Sequence, residues 1–145
     1  MKVLGISGSL RASSFNTALL RTAQQVAPEG MEIEIADIKA FPVYDEDIYV
    51  NGFPDAVATF RGHIAAADGL LIATPEYNFG MSGVIKNAID WASRPPEQPF
   101  DGKAMALLGA SAGKLGTGLA QMQLRQVLGA LSGQIVTKPQ VFVSG

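Results

Sequence analysis

Short apolar segments alternate with segments of helical period along the chain, and turns containing Gly, Pro or Ser separate most of them. The apolar segments that predict β-strands are Lys2–Ile6, Met31–Ile35, Gly69–Thr74, Lys103–Gly109 and a final strand within Ile135–Val143, which Lys138-Pro139 interrupts. The segments that predict helices are residues 16–27, a stretch carrying Val57, Phe60, Ile64 and Ala67, and residues 83–93 and 119–131. This alternation indicates repeated βαβ units and a parallel sheet with helices on both faces.

The character of each strand predicts its place in the sheet. Met31–Ile35 alternates apolar with charged residues, which favours an edge, whereas Gly69–Thr74 is continuously apolar and favours the centre. With right-handed crossovers, these positions fit a doubly wound, five-stranded parallel sheet in the order 2-1-3-4-5. The strand order then reverses between strands 1 and 3, so we expect a ligand in the loops that follow Ile6 and Thr74.

Helical spacing also predicts which side chains face the core. In the first helix we expect one inward face, made of Leu19, Ala23, Val26 and Ala27. In the helix over residues 83–93 we expect the inward residues to be Ile85, Ala88, Ile89 and Ala92. Asp90 and Arg94 are spaced for an exposed ion pair, and the segment from Phe41 to Phe53 is expected to be a loop.

Composition narrows the class of protein and of partner. The 145 residues, 48% hydrophobic and 17% charged, predict one soluble globular domain over residues 1–145. The formal net charge of -2 includes no basic block, so no nucleic-acid partner is expected. The chain has no cysteine, which excludes thiolate chemistry, and no apolar run long enough for a membrane span or a signal peptide. We therefore expect a cytoplasmic protein with no membrane partner.

The first loop, Gly5 to Asn16, joins a strand to a helix and contains the residue types that phosphate-binding sites use. Glycines let the backbone approach an anion, a helix start presents unpaired amides, and Arg11 adds a charged planar fork. The alternative is an ordinary helix cap rich in Ser and Asn. Position at the predicted switch point favours a phosphate, and the absence of Gly-x-Gly-x-x-Gly favours a mononucleotide over a pyrophosphate.

The second loop, Thr74 to Gly83, follows the third strand and precedes a helix. Its proline and glycines permit a tight turn whose amides can bond the polar edge of a planar ring, and Tyr77 is placed to stack on one. The alternative is a surface turn with its aromatic side chains folded back on the core.

Three segments together closely resemble the NADPH-dependent FMN reductase family, which includes quinone, chromate and azo-dye reductases. They are Gly8-Ser9-Leu10-Arg11-x-x-Ser14-x-Asn16, Pro75-Glu76-Tyr77-Asn78 and Lys86-Asn87-Ala88-Ile89-Asp90-Trp91, and the likeness covers nearly the whole chain. The resemblance implies a flavodoxin-like fold, FMN as cofactor, and NADPH, or NADH, as electron donor. It also implies a homo-oligomer, either a homodimer or a homotetramer.

The resemblance implies roles for named residues as well. The phosphate would be held by Ser9, Arg11, Ser14 and Asn16, and Phe15 is counted with them as cofactor-binding. The isoalloxazine ring would be lined by Pro75, Glu76, Tyr77 and Asn78, with Ser111 and Gly113 completing the pocket. No catalytic side chain is expected, because the cofactor carries the chemistry. No metal site is expected either, since Asp45, Glu46 and Asp47 are more often solvated and His63 lacks partners.

The predicted activity is transfer of a hydride from NADPH through FMN to a small acceptor such as a quinone, an azo compound, chromate or free flavin. Two alternatives share the cofactor: a non-enzymatic electron carrier of the flavodoxin type and a flavin-binding redox sensor. One feature departs from the family. No helix follows Val141–Gly145 to cover the sheet, so either the chain continues or another subunit covers that face.

Overall fold

The computed structural model describes all of residues 1–145. In chain order the elements are β1 (Lys2–Ser7), α1 (Phe15–Val26), β2 (Glu32–Ile35), α2 (Glu46–Tyr49), α3 (Asp55–Ala66), β3 (Gly69–Ala73), β4 (Glu76–Tyr77), β5 (Gly80–Met81), α4 (Gly83–Ala92), β6 (Ala104–Ser111), α5 (Gly118–Ala130), β7 (Gln134–Ile135) and β8 (Val141–Ser144). The predicted alternation of strands and helices is confirmed, with α2 as a short addition in the segment predicted to be a loop.

The main sheet is parallel and has the order β2-β1-β3-β6-β7, with β8 also paired to β6. The predicted order is therefore confirmed, with one refinement at the fifth position. There, β7 pairs with Ala104 and Met105 of β6, and β8 pairs with the stretch from Leu108 to Ser111. Pro139 lies between the two short strands, and because proline has no backbone N–H it cannot donate a hydrogen bond to a neighbouring strand.

The three central strands end at the same edge of the sheet. Ser7 pairs with Ala73, and Ala73 pairs with Leu108. Just beyond the pairing, the Gly8 amide donates to the Ala73 carbonyl at 2.8 Å, and the Thr74 amide donates to the Leu108 carbonyl at 3.1 Å. The loops that follow β1, β3 and β6 consequently leave the sheet side by side.

The core lies between the sheet and the helices, and α3 and α4 supply the faces predicted for them. The inward residues of α4 are buried as expected: Ile85, Ala88, Ile89 and Ala92. In α1 the prediction is right only in part, because Leu19, Ala23 and Ala27 are half-buried, whereas Val26 is 74% exposed and Leu20 is the fully buried apolar residue. Asn16 and Leu20, one turn apart, face the sheet instead, since the side chain of Asn16 is bonded to β6 and fixes the rotation of the helix.

The predicted ion pair between Asp90 and Arg94 is also wrong. Both oxygens of Asp90 accept hydrogen bonds from the Lys86 ammonium, at 2.6 and 2.7 Å, one helical turn earlier. Arg94 lies beyond the end of α4, so its Nε donates to the Asp90 carbonyl and its guanidinium lies 5.4 Å from the centre of the Tyr44 ring.

The last strand, β8, has all four residues exposed, including Val141, Phe142 and Val143. An apolar groove of about 380 Å³ separates it from α1. No helix is long and apolar enough to cross a membrane.

Candidate cofactor site

A cleft of about 590 Å³ opens at the edge where the central strands end. Its walls come from the loops after β1, β3 and β6, as expected for the switch point of this sheet. The lining residues are Ser9, Arg11, Ser14, Phe15, Asn16, Pro75, Glu76, Tyr77, Asn78, Phe79, Ala110, Ser111, Ala112 and Gly113. Every residue that the sequence predicted for the site therefore lies around this one cleft.

Gly109 of β6 lies in close contact with the end of β3 and the start of α5. A Cβ atom at this position would lie 2.0 Å from Oγ1 of Thr117 and 2.4 Å from the Thr74 carbonyl oxygen. Real Cβ atoms never approach other atoms so closely, and here one obstacle is backbone. Only glycine therefore lets β6 run this close to the end of β3 and the start of α5.

The first loop presents unpaired donors at the start of α1. Oγ of Ser14 accepts from the Thr17 amide at 3.1 Å and caps the helix. The backbone amides without an acceptor in the chain are those of Leu10, Arg11, Ala12, Ser13, Phe15 and Asn16. The guanidinium of Arg11 lies 5.1 Å from the centre of the Phe15 ring and donates to the Ser13 carbonyl at 3.1 Å. The loop thus combines the predicted helix cap with a set of free donors for an anion.

Asn16 contacts the protein rather than the cleft through its side chain. Its Nδ2 donates to the Ala110 carbonyl at 3.0 Å, and its Oδ1 accepts from the Ala110 amide at 2.9 Å. Both polar atoms of the Asn16 side chain are therefore buried, and each has a hydrogen-bond partner in the backbone of β6. The group that Asn16 leaves available for a phosphate is accordingly its backbone N–H.

The second loop is a small antiparallel hairpin formed by β4 and β5. Its turn residues, Asn78 and Phe79, have φ angles of 51° and 63°. The hairpin is attached to the first loop, because Oγ of Ser82 donates to the Gly8 carbonyl at 2.6 Å. Tyr77 is 56% exposed, so its ring is not folded back on the core.

Glu76 joins the second loop to α5. Its Oε2 accepts from the backbone amides of Leu119 and Ala120, at 2.9 and 3.0 Å. The residue at the N-cap position, Thr117, makes no side-chain cap and instead accepts from Gln121. Glu76 therefore stabilises the N-terminus of α5, where a negative charge is favoured, and its carboxylate is a structural bridge across one end of the cleft.

The third motif, Lys86 to Trp91, lies on α4 and outside the lining of the cleft. Nδ2 of Asn87 and Nε1 of Trp91 both donate to the Pro42 carbonyl at 2.8 Å, and Oδ1 of Asn87 accepts from the Tyr44 amide. These contacts hold the segment before α2. The hydrogen bond from the Tyr44 hydroxyl to Glu46 raises the pKa of Tyr44.

Sequence reasoning missed three residues of the lining, Phe79, Ala110 and Ala112. The two alanines carry no distinctive side chain and enter the cleft only because β6 ends there. Phe79 left no signal either, because its place in a two-residue turn, where glycine is favoured, is known only from the structure.

The donor set of the cleft fits FMN. One end offers Arg11, the Ser9 and Ser14 hydroxyls and free helix-start amides, which suits a phosphate. Among the lining residues only Glu76 has a carboxylate, and that group is bonded to α5. The other end carries the exposed Tyr77 ring beside peptide groups of the second and third loops, which suits a planar heterocycle.

Comparison with known proteins agrees with this site. Residues 1–145 match the NADPH-dependent FMN reductase family. An NAD(P)H-dependent FMN reductase of Pseudomonas aeruginosa is 60% identical over 144 residues, which cover 99% of this chain and 78% of that protein. A quinone reductase of Escherichia coli is 41% identical over 147 residues, covering 100% of this chain and 78% of the relative.

A solved structure is similar over the same extent. The flavoenzyme NAD(P)H:(acceptor) oxidoreductase FerB from Paracoccus denitrificans matches with a TM-score of 0.91 and 35% identity, covering 98% of this chain and 78% of that one. The chain belongs to the NADPH-dependent FMN reductase family. The predicted family, the flavodoxin-like fold and the class, an FMN-dependent oxidoreductase that uses NAD(P)H, are therefore confirmed.

Proposed function

We propose that residues 1–145 form one FMN-binding domain that passes electrons from NADPH to a small acceptor, such as a quinone, an azo compound, chromate or free flavin. The observation that carries the proposal is the single cleft at the ends of β1, β3 and β6, in which all the residues predicted for the cofactor lie together. One buried cluster of 17 residues, drawn from both ends of the chain, supports the assignment of one domain.

The first loop would hold the phosphate of FMN. Arg11 supplies the positive charge, and Ser9 and Ser14 supply hydroxyls. The free amides of Phe15 and Asn16 lie at the N-terminus of α1, where the helix dipole favours an anion. Contact with the Phe15 ring limits the conformations of the Arg11 side chain, so less entropy is lost when the guanidinium binds.

The second and third loops would hold the ring. Pro75 to Asn78 form one side of the cleft, and Ser111 and Gly113 form the other. Oγ of Ser111 accepts from the Gly113 amide at 3.0 Å and fixes the third loop, while the Ala112 amide has no acceptor in the chain. Free amides placed here would stabilise negative charge on the polar edge of a bound ring.

FMN held by these loops would supply the redox chemistry, acceptance of a hydride from NAD(P)H and release of two electrons to the acceptor. The chain's own part is to orient the cofactor and leave one side of it accessible. The exposed positions of Tyr77 and Asn78 beside an open cleft meet that requirement, and no side chain of the lining is needed as a nucleophile.

Assembly and compartment are further parts of the proposal. We also propose a homodimer or a homotetramer, and the exposed Val141, Phe142 and Val143 beside the adjoining groove form a face that either a second subunit or further residues of the chain would cover. The protein is proposed to be cytoplasmic and to have no nucleic-acid partner, since its net charge of -2 includes no basic block.

Steady-state oxidation of NADPH with an added quinone tests the activity. We expect NADPH oxidation that depends on both the FMN-loaded protein and the quinone. A protein that binds FMN but gives no turnover with any acceptor would instead be an electron carrier or a redox sensor, and the proposal of an enzyme would be wrong.

A further inference from the structure

Phe79 occupies a backbone conformation that its side chain disfavours. Tyr77 pairs with Gly80, so the hairpin turn consists only of Asn78 and Phe79, with φ angles of 51° and 63°. Turns of this kind favour Asn followed by Gly, because both residues must be left-handed. Asn tolerates that region, whereas a bulky aromatic residue there is an outlier that costs free energy.

Packing within the chain does not repay this cost. Phe79 is 71% exposed, and none of the aromatic or cation–π pairs of the molecule includes it. Burial is the usual reason for a protein to keep a large apolar side chain. A strained residue whose ring contacts solvent instead indicates a function outside the fold.

The position of the ring suggests which function. Phe79 lines the cleft together with Tyr77 and Phe15, both exposed, so the cleft has an aromatic rim above its polar loops. The same turn lies next to the residues that would hold the isoalloxazine ring. An aromatic side chain there is placed to contact a planar molecule that approaches the open side of the cleft.

We propose that Phe79 is a specificity-determining residue that contacts planar aromatic electron acceptors and favours them over acceptors without a ring. This inference rests on the proposed function, because it concerns the acceptor that the FMN-loaded cleft reduces. The strain at Phe79 is retained because glycine, the residue that suits the turn, would remove the contact.

The test compares three substitutions at this position with a matched control. Phe79→Gly removes both the strain and the ring, Phe79→Leu removes only the aromatic ring, and Phe79→Tyr keeps it. Ser132→Gly is the control, because Ser132 also has a left-handed φ of 61° but lies in the turn before β7, at the opposite edge of the sheet.

Two measurements are made without turnover. In the flavin-free protein, Phe79→Gly and Ser132→Gly should each raise the thermal midpoint, by about 2 to 4 °C. In the oxidised, FMN-loaded protein without NADPH, calorimetry should show menadione binding about three- to tenfold weaker for Phe79→Gly and Phe79→Leu, and unchanged for Phe79→Tyr and Ser132→Gly.

The kinetic readout is the ratio of kcat/KM for menadione to kcat/KM for ferricyanide, an acceptor with no planar ring. We expect this ratio to fall about three- to tenfold in Phe79→Gly and Phe79→Leu and to be restored in Phe79→Tyr. An unchanged ratio and unchanged menadione binding, in a wild type that reduces both acceptors, would overturn the inference alone.

Two other outcomes are separable. If Phe79→Gly alters the mass measured by light scattering and leaves the acceptor ratio unchanged, the ring is a contact between subunits and the inference is wrong. If the FMN-loaded wild type reduces neither acceptor, the proposed function itself fails, and the inference fails with it.

Discussion

The carboxylate of Glu76 accepts a hydrogen bond from the backbone amide of Ala120 at 3.0 Å. The two residues are 44 positions apart, Glu76 in the hairpin of the second loop and Ala120 in the first turn of α5. The contact caps α5 from outside the helix, because the residue at its N-cap position makes no side-chain cap. The helix that begins after the third loop is thereby tied to the hairpin of the second loop.

Removing this bridge should affect both stability and cofactor binding. We expect Glu76→Ala to lower the free energy of unfolding by about 0.5 to 2 kcal/mol, as for other lost caps, and to weaken FMN binding. Urea unfolding of the flavin-free protein and calorimetric titration with FMN measure the two effects. Glu29→Ala, an exposed carboxylate without a hydrogen-bond partner in the chain, is the control and should change neither quantity.

We expect the side chain of Asn16 to contribute mainly to the stability of the fold. Its side chain makes two buried hydrogen bonds with Ala110, so Asn16→Ala should lower the free energy of unfolding by about 2 to 4 kcal/mol. Gln25→Ala, at an exposed position of the same helix, should change it by less than about 0.5 kcal/mol. Equal denaturant midpoints for the two variants would show that the Asn16 bonds contribute nothing.

The fold was predictable because its signals are local and repeated. Continuous apolar strands such as Gly69–Ala73, and the wetter strand Glu32–Ile35, gave the sheet order that the structure has. The face of α1 was not predictable, since its rotation depends on a bond between Asn16 and Ala110, 94 positions away. The predicted ion pair of Asp90 was wrong for a different reason, because Asp90 has a basic residue four positions away on either side, and spacing does not decide between Lys86 and Arg94.

Most residues that line the cleft were predictable, and their individual contacts were not. The switch point and two of the three motifs predicted residues that line one cleft, whereas the third motif lies on α4 outside it. The roles of Glu76 and Asn16 depend on partners in α5 and β6 that spacing cannot identify. Phe79 was missed because the sequence does not show that this residue has a left-handed backbone conformation, which only its φ angle reveals.

Arg11 should contribute to FMN affinity through the phosphate. We expect Arg11→Ala to weaken FMN binding by about 1.5 to 3 kcal/mol, because a charge-assisted hydrogen bond is lost, and to leave riboflavin binding unchanged. Fluorescence titration of the flavin-free protein with each flavin separates the two. Arg21→Ala, at an exposed arginine within α1, is the control, and equal FMN affinity for the two variants would remove Arg11 from the phosphate site.

Gly109 should tolerate no side chain. A methyl group there would overlap Thr117 and the Thr74 carbonyl, so Gly109→Ala should lower the free energy of unfolding by about 3 kcal/mol or more and weaken FMN binding. Gly62→Ala is the matched control, because Gly62 lies within α3 with open space around it, and this change should stabilise the protein by about 0.5 to 1 kcal/mol. Soluble Gly109→Ala protein with wild-type stability would contradict the packing described here.

The central claim is that this cleft holds FMN and uses it to carry electrons from NADPH to a small acceptor. Its most direct test is anaerobic titration of the purified, FMN-reconstituted protein with NADPH, followed by menadione, while the visible absorption of the flavin is recorded. We expect one equivalent of NADPH per FMN to bleach that absorption and one equivalent of menadione to restore it. Stoichiometric FMN that NADPH does not bleach, or a protein that binds no FMN, would contradict the claim.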